Sequence, residues 1–452
     1  MYFMWKAKVP RKTGFLSTPL STRFSHELPA SPTKLSICRK PYFSRVSALI
    51  HIFTAPTAAT ADYFIFLFLY YTLHHRKEVI HIMKLFCSKA ELQKSVNIVM
   101  KAVPAKTTMP ILECILIDAS TNDIKFTSND MELGIETRVQ GMVLEKGIIA
   151  LDAKIFSEIV RKLPDSDVTI ETDEKLNTTI TCEKAKFNIP GKSGEDFAYL
   201  PLIEKNECIR VSQFTLKEII RQTIFSIALN ENNKLMTGEL FQIENNRLRV
   251  ISLDGHRISI RRVPLKEPCE DRKVIVPGKT LNEISKILSG EMEDMVDIYL
   301  STNHILFEFD DTTVVSRLIE GEYFKIDQML SSDYETKVKI NKKEFLDCID
   351  RATLLVKEGD KKPIIINIED GQMELSIDSQ IGSMKEDIDI EKEGKDIMIG
   401  FNPKFLIDAL KVIDDEEISI YLMNPKAPCF IRDEEQQYIY LILPVNFNAA
   451  GR

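Results

Sequence analysis

From residue 83 onward the apolar positions of the chain follow two alternating rhythms. Short runs of period two, bounded by turn residues, give way to runs with apolar residues at i, i+4 and i+7, the pattern of a one-faced helix. Three strand-then-helix stretches stand out: 84–92 (Lys-Leu-Phe-Cys-Ser-Lys-Ala-Glu-Leu), 210–219 (Arg-Val-Ser-Gln-Phe-Thr-Leu-Lys-Glu-Ile) and 338–345 (Val-Lys-Ile-Asn-Lys-Lys-Glu-Phe). Aligned on Glu91, Glu218 and Glu344 they recur at intervals of 127 and 126 residues. They predict the stripes Leu92/Val96/Val99, Ile220/Ile224/Ile227 and Phe345/Ile349/Ala352. A second set of helices opens near 150, 276 and 401, and places Lys154, Lys279 and Lys404 at intervals of 125 and 125. Two independent markers keeping nearly one period indicate a threefold internal repeat.

Between the helices lie β-rich runs with Asn-Asn or Asp-Gly turns, such as 240–251 and 364–377. Each unit therefore reads as strand, helix, several antiparallel strands, second helix, more strands. That is an α+β class, with two helices packed on antiparallel sheets in each of three repeated domains. Polar stretches near 205–210 and 331–337 read as linkers, which divides the chain into domains 83–207, 208–334 and 335–447, with a short tail at 448–452.

The charge balance separates the first 82 residues from the rest. The whole chain has 59 Lys/Arg and 67 Asp/Glu, a formal balance of −8. Residues 1–82 hold 11 and 3 of these, so residues 83–452 hold 48 and 64, a balance of −16. The leading segment is Ser-, Thr-, Pro- and Arg-rich and carries Trp5 and five of the seven histidines. Its apolar stretch, 61–73, is too short to span a bilayer comfortably and contains Asp62. An organellar transit peptide fits the composition better. The reading preferred here is that the natural start is Met83 and the extension is translated leader. Lys77-Glu78-Val79 is encodable as a purine-rich ribosome-binding signal just upstream of that Met.

Eight cysteines are scattered singly, at 38, 87, 114, 182, 208, 269, 348 and 429, with no Cys-x-x-Cys pair. They read as small core residues in a reducing cytoplasm rather than as metal ligands or disulfides. No metal and no cofactor are expected.

The repeats, together with Leu253-Asp-Gly-His-Arg-Ile258, Val274-Ile-Val-Pro277, Leu318-Ile-Glu-Gly321 and Tyr440-Leu-Ile-Leu-Pro-Val445, resemble the bacterial DNA polymerase III beta subunit, the sliding clamp family. The resemblance covers residues 83 to about 447 and is consistent with a start at Met83. It implies a head-to-tail homodimer that closes into a ring of six similar domains around double-stranded DNA. It also implies a processivity factor that tethers the replicative polymerase, with no enzymatic activity of its own. The implied partners are the polymerase III alpha subunit, the clamp loader, other polymerases and repair proteins, all docking through short linear peptides.

A ring that slides needs cations for phosphates and no side chains that read bases. The repeat helices offer Lys89, Lys94 and Lys101; Lys154, Arg161 and Lys162; Lys217 and Arg221; Lys279 and Lys286; Lys342, Lys343 and Arg351; and Lys404 and Lys411. Of these Lys94, Lys154, Lys279 and Lys404 are the expected DNA contacts, and the resemblance adds Lys106 in a basic loop. The resemblance also implies a peptide pocket walled by Met236, Gly238, Gly255, His256, Arg257 and Ile258, by Phe324 and Met329, and by Pro428, Leu443, Pro444 and Val445. Phe324 and Gln328 stand where many relatives carry Pro and Arg, which bears on peptide preference. Phe187 and Ile189 on the first unit, and Leu354 and Leu355 on the third, match positions that pack across the ring joint.

Two other classes compete. Asp254-Gly-His256 and Asp414-Asp415 invite a catalytic reading, yet no nucleophile motif, Gly-rich phosphate loop or metal-spaced carboxylate cluster accompanies them. An acidic repeat scaffold that binds no DNA is the reading that net charge alone suggests.

Overall fold

A computed structural model describes residues 83–206, 208–230, 232–356 and 362–447. The leader, Cys38 and the tail lie outside the described residues. Six α-helices are described among them: α1 (Lys89–Val99), α2 (Ala153–Lys162), α3 (Gln213–Thr223), α4 (Gly278–Ile287), α5 (Lys342–Thr353) and α6 (Pro403–Val412). They pack in pairs, α1 on α2, α3 on α4 and α5 on α6.

Their starts follow from capping chemistry. Ser88, Ser212 and Asn341 each sit in extended backbone and accept a backbone N–H three residues on, from Glu91 at 3.2 Å, Thr215 at 3.1 Å and Glu344 at 3.1 Å. These caps correct the sequence alignment of the second unit. Glu91 and Glu344 lie three residues past their caps, whereas Glu218 lies six past its own, so the true equivalent is Thr215. The buried stripe of α3 is accordingly Leu216, Ile220 and Thr223, not Ile220, Ile224 and Ile227. Thr223 has no apolar counterpart's need for burial alone; its hydroxyl donates to the Ile219 carbonyl at 2.7 Å. In the second helix of each unit the sequence register is correct. Lys154, Lys279 and Lys404 all lie two residues past the caps Asp152, Pro277 and Asn402.

The strands are all antiparallel and form sheets of thirteen, nine and four strands. Two of these sheets run across unit boundaries. Strand Leu133–Val139 of the first unit pairs with Thr312–Arg317 of the second, placing Ile135 opposite Val314. Strand Arg257–Pro264 of the second pairs with Tyr438–Ile442 of the third, placing Ile258 opposite Leu441 and Ile260 opposite Ile439. Apolar side chains from helices and inner sheet faces fill one cluster through the first two units and another in the third. A further cluster lies on the opposite sheet face, where the second and third units join.

Candidate functional site

The junction cluster is built from the strand hairpin of the second unit, the loop at 318–330, and three strands of the third. Leu253, Ile258 and Ile260 meet Tyr421, Phe430, Ile439 and Leu441, and Tyr323 and Ile326 close over them. Met236 packs half-buried against this cluster. The loop at 254–256 is shaped by Asp254, whose carboxylate accepts the backbone N–H of His256 at 2.9 Å and of Arg257 at 3.2 Å. Gly255 completes the turn at φ +88°, a left-handed conformation that favours glycine. The chain end then docks on this turn: the Leu443 N–H donates to the His256 carbonyl at 2.9 Å, and the Val445 N–H donates to the Gly400 carbonyl at 2.8 Å. Pro428 and Pro444 are half-buried on the third unit.

The structure thus gathers Met236, Gly255, His256, Ile258 and Leu443 at one seam, with Phe324 and Met329 on the loop beside it. Met329 is 59% exposed and Leu443 38% exposed, so the seam presents apolar surface to solvent. Phe324 lies edge-on to Tyr323, with ring centroids 5.6 Å apart.

Two expected wall residues are placed differently. Arg257 is buried and fully engaged: it pairs with Asp254 at 3.0 Å and Asp408 at 2.7 Å, and donates to the Phe225 carbonyl at 2.5 Å. Its guanidinium stacks on the Phe405 ring at 4.6 Å, while His256 stacks on the same ring at 5.9 Å. It pins the second unit to α6 and presents no open hook. Gly238 is buried at the head of strand Gly238–Glu244, where an added Cβ would meet the Ile319 side chain at 2.7 Å and the Val276 carbonyl at 2.7 Å. Its smallness serves packing. A separate cavity of about 770 Å³ opens behind the 318–328 loop and shares only Phe324 with the twelve expected wall residues.

Beside this seam, the strand carrying Gly238 also carries Glu239, completely buried next to Thr223. Neither carboxylate oxygen has a hydrogen-bond partner among the described residues, and burial pushes the group up to about 8. The aromatic wall responds to the same desolvation, which raises the Tyr323 hydroxyl well above its usual range.

The five expected DNA-contact lysines, Lys94, Lys106, Lys154, Lys279 and Lys404, are all exposed. Lys279 differs from its repeat partners because its ammonium pairs with the buried Asp130 carboxylate of the first unit. Several other helix cations serve the fold. Lys217 and Lys342 donate to the last carbonyls of α4 and α6, through Leu288 at 3.2 Å and Ile413 at 2.7 Å. Arg221 bridges Glu218 and, at 2.8 Å, Asp414 of the third unit. Sequence reasoning missed Asp408, Phe225 and Phe405, because nothing in their spacing marks them as partners of Arg257.

Of the expected interface residues, Phe187 and Ile189 lie on an open sheet edge, and Leu354 and Leu355 follow α5, with Leu355 beside Gly382 at the start of another. Residues 185–190 of strand Ala185–Ser193 pair only with Asn177–Cys182, and strand Ser383–Asp389 ends the four-stranded sheet. Phe187 and Leu354 are exposed, Leu354 at 78%, while Ile189 and Leu355 are half-buried against their own cores. The open stretch 185–190 carries Lys186 alone, and the second edge carries Glu386, Asp387 and Asp389 against Lys385, formal balances of +1 and −2.

Among the described residues no group of three or more His, Cys, Asp or Glu is placed to hold a metal ion, and no helix is long and apolar enough to cross a membrane.

Comparison with known proteins yields matches along the whole of this region. Residues 83–201, 210–325 and 327–446 match the N-terminal, central and C-terminal domain profiles of the DNA polymerase III beta subunit. The beta sliding clamp of Staphylococcus aureus is 34% identical over 360 residues, covering 77% of this chain and 95% of its own length. The crystal structure of a DNA polymerase III beta subunit from Eubacterium rectale is 73% identical with a TM-score of 0.79, covering 81% of this chain and all of the other. That of the DNA polymerase sliding clamp from Bacillus subtilis is 35% identical, with the same TM-score and coverage.

Proposed function

Because the chain belongs to the DNA polymerase III beta subunit family, the sliding clamps, we propose that its helices face duplex DNA and that its second-to-third-unit seam captures linear peptides. The chain is a processivity factor of DNA replication, not an enzyme. Its partners are double-stranded DNA, a second copy of itself and the replicative polymerase, and its place of work is the cytoplasm.

The observation that carries the DNA reading is the recurrence of an exposed lysine two residues into the second helix of all three units. Equivalent cations on repeated helices build a local positive field inside a chain portion that is acidic overall. Phosphate contacts of this kind hold a duplex without fixing its register, which is what sliding requires. Acidic side chains elsewhere disfavour DNA on the outside.

At the seam, partly exposed apolar side chains around the 254–256 turn and the Leu443 strand end suit apolar anchors of an extended peptide. The polymerase alpha subunit, the clamp loader, other polymerases and repair proteins would compete for it. The two sheet edges of opposite sign, one in the first unit and one in the third, suit head-to-tail closure through Phe187 and Ile189 against Leu354 and Leu355 of a partner.

Primer extension tests this function. On a primed single-stranded circle with clamp loader and polymerase, the protein should lengthen products per binding event, and Met236→Asp should remove the gain. Unchanged product lengths with the wild-type chain would reject it.

A further inference from the structure

The outer face of the second unit holds a cluster of arginines that neither the DNA surface nor the peptide seam uses. Across neighbouring strands Gln242 lies opposite Arg249, and Arg249 opposite Arg262, while Arg247 lies two residues along from Arg249 on the same face. The intervening Leu248 and Val250 belong to the helix-side core, so these arginines point away from the helices. Together with Glu244 and Asn245 they line a cavity of about 370 Å³.

The cluster is incompletely neutralised. Asp327 pairs with Nη1 of Arg249 at 2.8 Å, but Nε and Nη2 of the same guanidinium are buried without a partner among the described residues. Arg262 donates to the Gln436 carbonyl at 2.7 Å, and the Gln242 amide is spent on Glu244 at 2.6 Å. Burial, and next the charge of Arg249, work against the proton on Arg262. Guanidinium groups do not escape such crowding by deprotonating, and buried donors left unpaired are costly. An anion of more than one charge relieves both penalties, and the planar forks of converging arginines match phosphoryl oxygens.

We propose that this cavity binds the phosphoryl group of a small molecule, whether free phosphate, pyrophosphate or the phosphate chain of a nucleotide. The site is separate from the duplex because it lies on the sheet face opposite the helices.

Titration calorimetry on the full chain without DNA, at ionic strength held constant with chloride, tests this. Inorganic phosphate, pyrophosphate, ATP and a hexaglutamate peptide are the ligands. Expected is saturable sub-millimolar binding of pyrophosphate at one site per chain, weakened roughly tenfold or more in Arg247→Gln and in Arg249→Gln. Arg247 is exposed, so its variant should melt with the wild type and keep loss of binding distinct from loss of fold. Tighter binding of ATP than of pyrophosphate would assign the site to nucleotides, and equal binding to the phosphate chain alone. Absence of saturable binding by all three phosphates, affinity unchanged in both variants, or preference for hexaglutamate would each overturn the proposal.

Discussion

The backbone N–H of Leu443 donates to the carbonyl of His256 at 2.9 Å, so the end of the third unit is hydrogen-bonded onto the turn that opens the second unit's hairpin. One bond thereby joins both walls of the seam. Met236 and Leu443 contribute apolar surface there, whereas Arg257 beneath them is already saturated. Met236→Asp places a charge where the proposed apolar anchors would dock. It should weaken a clamp-binding peptide by roughly a hundredfold, a cost of about 3 kcal/mol. Removing residues 443–445 should do the same, and neither change should alter the two-chain mass. Undiminished peptide affinity in a fluorescence titration would reject the seam.

The repeat lysines should separate by their partners. Lys154→Ala and Lys404→Ala should each lower the salt dependence of DNA affinity by about one released ion. Lys279→Ala should do less to DNA, because its ammonium already pairs with Asp130. It should instead cost about 1 kcal/mol in urea unfolding, because Asp130 is left buried without its cation. Equal effects of all three on the salt slope would contradict this division.

Ring closure should depend on Leu354, which projects from the third unit with most of its surface in solvent. Leu354→Asp should shift the native mass from two chains towards one at micromolar concentration while leaving the melting temperature of the single chain unchanged. A dimer that resists both this change and Phe187→Ala would move the interface elsewhere.

Glu239 makes stability depend on pH. Its folded value of about 8 lies above the ordinary 4.5, so the folded state holds a proton that the unfolded chain releases. Stability is then fully present below pH 4.5 and lost progressively as pH rises through 8, on the order of 5 kcal/mol across that window. Glu239→Gln should remove this slope and stabilise the protein at pH 8, measured by urea unfolding at pH 5 and pH 8. A slope that persists in the variant would assign it to other groups.

Much of the architecture is legible in the chain because helix caps and one-sided stripes are local features. Ser88, Asp152 and Asn341 can be read where they stand. The register of α3 is not, because Thr223 interrupts its apolar stripe and invites a slip of four residues along it. Sheet continuity between units is also hidden, since the edges that meet, Ile135 on Val314 and Ile258 on Leu441, are far apart in sequence. The site shows the same divide. The Leu253–Ile258 motif identifies the seam, but only three-dimensional placement reveals that Arg257 is a buried pin and Gly238 a packing residue.

Encirclement is tested most directly by topological trapping. Protein loaded on a nicked circular duplex should stay bound through gel filtration at moderate salt, then run off once a restriction enzyme linearises the DNA. Retention on linear DNA equal to that on circles would contradict a ring and favour an ordinary binder, and no retention on either would favour an acidic scaffold that does not hold DNA.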